Sequence, residues 1–135
     1  MKKLLTAAVA ATVTVAVLVF ALPAPGLQTD EITADELQEQ IEEGTAPLIL
    51  DVRTAQEYSE GHVPGAVNIS HDELGDRMSE LDVDLGDMVV VYCGSGRRAG
   101  IAQELLGEAG FTNLRDLEGH WRAWKAAGRP TESGE

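Results

Sequence analysis

The sequence predicts an α/β domain in which a central, mainly parallel sheet is flanked by helices. Three observations predict it. Short apolar runs at Leu48-Ile49-Leu50 and at residues 88–92 have the length of buried strands, and Leu114–Leu117 gives a further strand. Between them lie stretches with helical spacing of apolar residues, so strand and helix alternate along the chain. The third observation is local: Met88-Val89-Val90-Val91-Tyr92 runs into a glycine-containing loop and then directly into a helical stretch.

Taken in order, Ile32 ends a short extended segment, and Thr33 with Glu36 three residues later fits a capping box for a helix reaching residue 43, closed by Gly44. The strand ending at Asp51 follows. Residues 55–59 suggest a short helix after Thr54, and Gly61-His62-Val63-Pro64-Gly65 is dense in turn formers. A second strand is expected at 66–69 and another short helix at 72–78. The run at 88–92 is β-branched and almost wholly apolar, which places it at the centre of the sheet. A helix at 99–109 carries Ile101, Ala102, Leu105 and Leu106 on its apolar face and is capped by Gly110. Leu114–Leu117 is a further strand, and Glu118-Gly119 turns into a last helix with Trp121 and Trp124 three apart, read as core packing.

The 135 residues suit one folded domain, and 44% hydrophobic with 24% charged residues is ordinary for a globular fold. The amino terminus is set apart. Met1-Lys2-Lys3 precedes an apolar run from Leu4 to Leu22 broken only by Thr6, Thr12 and Thr14, the layout of a secretory signal. Residues 1–26 are therefore expected to be a signal peptide cleaved after Gly26, or after Ala21, with an uncleaved membrane anchor as the alternative; residues 27–135 form the domain. The expected location is periplasmic or otherwise extracytoplasmic, or membrane-anchored facing outside. A formal net charge of −13 argues against nucleic acid as a partner.

Cys93 is the only cysteine, so no internal disulfide can form; it is either inert core or a thiol kept for its reactivity. Its neighbours decide. Cys93 stands at the carboxyl end of the central strand and at the amino end of a helix, where open α/β sheets gather ligands and where unpaired N–H groups favour a thiolate. Gly94 and Gly96 let successive amides converge on one centre, with Ser95 between them, while Arg97 and Arg98 add positive charge. Such a loop suits a nucleophile that takes the outer sulfur of an anion such as thiosulfate and holds it as a persulfide. No metal or organic cofactor is required, and three scattered histidines give no metal-site spacing. His62 reads as a turn residue bonded to backbone, and His71 and His120 as exposed.

The residues that carry a family resemblance are Asp51-Val52-Arg53, Glu57-Tyr58 and Gly61-His62-Val63-Pro64-Gly65-Ala66-Val67-Asn68-Ile69, then Val91-Tyr92-Cys93-Gly94-Ser95-Gly96-Arg97-Arg98, Gly110-Phe111, Leu117-Glu118-Gly119 and Ala123-Trp124. In this order and spacing they resemble the two signatures of rhodanese-like domains, from about residue 32 to 130. The resemblance implies a rhodanese-like three-layer α/β fold, Cys93 as persulfide carrier, and sulfur held by the loop from Gly94 through Arg98. It implies a thiosulfate sulfurtransferase whose partners are a small anionic sulfur donor and a thiophilic acceptor. Asp51 and Arg53 are implied to form a structural ion pair at the end of a neighbouring strand, joined by Glu57. Two positions depart from the pattern: Ala99 stands where a serine is common, and His120 where a second glycine is common after Gly119.

Three rivals are weighed against this. A phosphatase or arsenate reductase loop places five residues between its cysteine and arginine, whereas four separate Cys93 from Arg98 and Ala99 occupies the next position. A thioredoxin-like exchanger needs a second cysteine. A non-catalytic binding or sulfur-carrier module of the same fold is the remaining alternative, and such modules usually lose the cysteine or the loop charges that this chain keeps.

Overall fold

The computed structural model describes residues 30–135; the expected signal or anchor at 1–26 lies outside them. No helix among the described residues is long and apolar enough to cross a membrane. Five strands form one sheet: β1 (Asp30–Ile32), β2 (Leu48–Asp51), β3 (Val67–Asn68), β4 (Val89–Tyr92) and β5 (Leu114–Leu117). Their order is β1-β5-β4-β2-β3, and every pairing is parallel. The all-apolar strand is central, as its composition requires, because a strand covered on both faces has no polar side to present.

The helices are α1 (Ala34–Glu43), α2 (Ala55–Glu60), α3 (Leu74–Arg77), α4 (Arg97–Glu108) and α5 (His120–Ala126), with a 3-10 turn at Met78–Glu80. Alternation along β4 divides the core. Val89 and Val91 face a cluster containing Leu74 of α3 and Ala102 and Leu106 of α4, while Val90 and Tyr92 face Leu37 of α1 and Trp124 of α5. That is a three-layer α/β/α domain, each fully buried Val or Leu contributing about 1.5–3 kcal/mol.

Local differences from the expected elements have physical causes. The Thr33 hydroxyl caps α1 at the Glu36 amide, but the reciprocal capping box forms at Thr54 and Glu57 on α2. The expected helix at 72–78 is only the single turn of α3 running into a 3-10 turn; Glu73 caps it with no side-chain bond and Gly75 lies inside it. The helix expected from residue 99 begins at Arg97, because Gly96 takes the chain reversal at φ +116° and leaves Arg97 already helical. Its buried face is Ala99, Ala102, Gln103 and Leu106, so Ile101 points to solvent at 43% exposure. Gln103 is tolerated inside because its amide donates to Asp116 Oδ1 at 2.8 Å.

Candidate active site

The end of β4 and the start of α4 bring the loop Cys93-Gly94-Ser95-Gly96 to the carboxyl edge of the sheet, between β5 and β2. The Gly96 amide donates to Cys93 Sγ at 2.9 Å. The loop therefore curls around the sulfur. Cys93 is 1% exposed and packs into the core on one side, while on the loop side its sulfur meets a backbone amide. Burial pushes the thiol up, but hydrogen bonding to His120 and to the amides of Ala99, Gly96 and Ser95 outweighs it and lowers the pKa to about 6. Ser95 and Arg97 are exposed and Gly94 and Gly96 half-buried, so the loop around the sulfur faces water.

The two arginines divide. Arg98 lies against the Cys93 sulfur and is held by Glu57 through a forked pair, Nη1 to Oε1 at 2.6 Å and Nη2 to Oε2 at 3.1 Å. The Arg98 guanidinium, with the Thr54 capping contacts, holds the Glu57 carboxyl down to about 2. Arg97 makes no hydrogen bond or ion pair among the described residues and projects from the loop. The fixed charge beside the thiol thus comes from Arg98, while Arg97 is exposed to solvent.

Glu57 does not join Asp51 and Arg53, which corrects the three-membered arrangement expected from the sequence. Arg53 binds Asp51 directly, Nη2 to Oδ2 at 2.6 Å and Nε to Oδ1 at 3.0 Å, and its Nη2 also donates to the Gly61 carbonyl at 2.7 Å. The capping box turns Glu57 the other way, toward α4. The Arg53 guanidinium also stacks 4.6 Å from the Trp121 ring, and both line a cleft of about 280 Å³ with Glu57, Gly61 and Lys125. Trp121 is attached to the loop, since its amide donates to the Cys93 carbonyl at 3.0 Å, and the next amide, of Arg122, donates to Gly94 at 3.2 Å.

His62 is buried and, rather than lying in the turn, forms an isolated antiparallel bridge with Glu132; its Nδ1 is 2.7 Å from the Tyr58 carbonyl and its ring stacks on Tyr58. His71 and His120 are not exposed as expected. His71 is partly buried, with its Nδ1 lacking a partner, and His120 is 7% exposed and packs on the Cys93 loop. His120 Nδ1 accepts from the Cys93 amide at 3.2 Å, and Nε2 lies 3.3 Å from Asp116 Oδ2. Sequence reasoning missed this residue, and with it Asp116 and the Glu57–Arg98 pair. One signal was present: a histidine standing where the family pattern carries a glycine.

Comparison with known proteins shows the family and the fold. The model of the family described as "Rhodanese-like domain" matches residues 33–127. Thiosulfate sulfurtransferase PspE of Escherichia coli is 40% identical over 70 residues, covering 52% of this chain and 67% of that protein. Thiosulfate sulfurtransferase 16, chloroplastic, of Arabidopsis thaliana is 36% identical over 94 residues, covering 62% and 78%. Among solved structures, the Alr3790 protein from Anabaena sp. superposes with a TM-score of 0.69 at 36% identity, covering 76% of this chain and 82% of that one.

Proposed function

Because the chain belongs to the rhodanese-like domain family, we propose that it is a sulfurtransferase that takes sulfane sulfur from thiosulfate, or a similar small anionic donor, onto Cys93 and passes it to a thiophilic acceptor. The observation that carries the reading is the Gly96 amide directed at Cys93 Sγ from 2.9 Å, in a loop that stabilises negative sulfur.

The chemistry balances without a cofactor. Cys93 thiolate attacks the outer sulfur of thiosulfate, a Cys–S–S⁻ bond forms, and the donor's S–S bond breaks with its electron pair leaving on sulfite. An acceptor nucleophile such as cyanide then bonds the outer sulfur, and the breaking S–S bond returns its electrons to Cys93 as thiolate. The loop amides and Arg98 serve both halves, because a thiolate and a persulfide anion carry the same single negative charge at nearly the same place. Metal is not needed by either half.

The test is thiosulfate-to-cyanide transfer, followed as thiocyanate, with intact mass recorded after thiosulfate treatment, on the native protein and on Cys93→Ser. Turnover and the added mass of one sulfur atom in the native protein alone are expected. A folded native protein that neither gains sulfur nor turns over with thiosulfate leaves a binding or carrier module as the better reading. We further place the domain outside the cytoplasmic membrane, on the basic start and apolar run of residues 1–26 alone. Recovery of the protein in the cytosol with that segment intact would overturn this location.

A further inference from the structure

His120 occupies its place on the loop at a conformational cost. Among the described residues it is the only non-glycine with positive φ, at +53°, a backbone region that L side chains rarely adopt and that is held only where the surroundings fix it. Glycine would carry the same turn without strain. The surroundings that fix the imidazole form a chain: Gln103 donates to Asp116 Oδ1 at 2.8 Å, and Asp116 Oδ2 lies 3.3 Å from His120 Nε2. At its other nitrogen the ring meets Cys93, whose amide reaches Nδ1 at 3.2 Å. The ring also packs against the loop itself, since a Cβ on Gly96 would lie 3.0 Å from Nε2.

From this arrangement we propose that His120, oriented by Asp116, is the base that takes the proton of the Cys93 thiol and then remains as the counter-ion of the thiolate and the persulfide. The inference rests on the sulfurtransferase reading and adds a residue to it. With Nε2–H turned to Asp116, the neutral ring keeps its lone pair on Nδ1, where the Cys93 amide now donates. Sulfur and amide belong to the same residue, so Nδ1 exchanges the amide contact for the S–H proton with little movement. The S–H bond breaks, the electron pair stays on sulfur, and the new Nδ1–H bond points at the thiolate. Asp116 is a positioning residue that fixes the tautomer and stabilises the imidazolium, and Gln103 holds Asp116 in turn.

The charged groups around this pair pull in one direction. Asp116 from β5 and the Cys93 sulfur favour the imidazolium, outweighing burial, and hold its pKa at about 9; Arg98 from α4, tied to Glu57 of α2, favours the thiolate. Each of the two groups therefore favours the charged form of the other once the proton has moved.

The experiment follows ultraviolet thiolate absorbance against pH for the full chain, His120→Gly and Asp116→Asn, with Cys93→Ser as the blank; glycine at position 120 relieves the backbone strain, so the fold is preserved. A native midpoint near 6 is expected. In His120→Gly the midpoint should rise toward that of an ordinary thiol, with the thiolate fraction at pH 6 falling roughly tenfold, and Asp116→Asn should shift it the same way by less. A His120→Gly midpoint equal to the native one, or a native midpoint near that of free cysteine, overturns the proposal. Absorbance needs no sulfur donor, so thiosulfate transfer on the same preparations separates the two readings: a low midpoint lost in His120→Gly without any turnover sinks the sulfurtransferase and leaves the proton acceptor standing.

Discussion

Arg53 grips Asp51 through a forked ion pair in which neither side chain is more than 3% exposed. Tyr92 donates its hydroxyl to the same carboxylate at 2.8 Å while accepting from the Val63 amide at 3.1 Å, so the pair ties β2, β4 and the turn after α2 together. Breaking one half strands a buried charge. Arg53→Ala is expected to lower unfolding free energy by about 3–5 kcal/mol, read from the midpoint of a urea titration, whereas Asp51→Leu with Arg53→Met together should cost less than the sum of the single changes.

The Glu57–Arg98 pair predicts a dependence of stability on pH. Folding lowers the Glu57 pKa from 4.5 to about 2, chiefly through the Arg98 hydrogen bond, so its contribution is present above pH 4.5 and disappears as pH falls toward 2. Glu57→Gln keeps the capping chemistry and removes the charge. Thermal midpoints of native and variant should differ at pH 7 and converge as pH approaches 2; a difference that is constant with pH would contradict the pair's role.

Gly96 is placed so that its amide meets the sulfur and its Cα leaves room for the His120 ring. Gly96→Ala forces a side chain into a backbone with φ +116° and into that ring. Sulfur transfer should drop by about a hundredfold, as loss of one aligned donor to a developing anion typically does, with far-UV circular dichroism close to native. Transfer within twofold of native would show that this amide is not needed.

Ile101 and Leu106 look alike in the sequence and differ in the fold. Leu106→Ala should cost about 2–5 kcal/mol because it empties a site with no exposed surface, while Ile101→Ala should stay within about 0.5 kcal/mol. Chemical denaturation of the two variants checks this directly, and equal losses would mean that α4 is rotated from the face described above.

Much of the fold and of the Cys93 loop is legible in the sequence. The apolar run of β4 announced the centre of the sheet, since only a strand covered on both faces can dispense with polar side chains. Cys93 with Gly94, Ser95, Gly96, Arg97 and Arg98 announced an anion-binding nucleophile, because a strand, a glycine-rich turn and a helix start that follow each other in sequence must also meet in space. Their chemistry is local, and local chemistry is written in adjacent residues.

What the tertiary structure decided was pairing across distance. Whether Glu57 turns to Arg53 or to Arg98, 41 residues away, depends on how α2 docks beside α4. Which side of α4 faces the sheet decides that Gln103 rather than Ile101 is buried, and so that Asp116 is held. His120 is 27 residues from Cys93, and its single letter fits a solvent-facing turn as well as a ring buried on the thiol. Only the docking of α5 against the loop, through the Trp121 and Arg122 amides, brings that ring to the sulfur, because side-chain contacts between separate elements are fixed by packing geometry that no single segment contains.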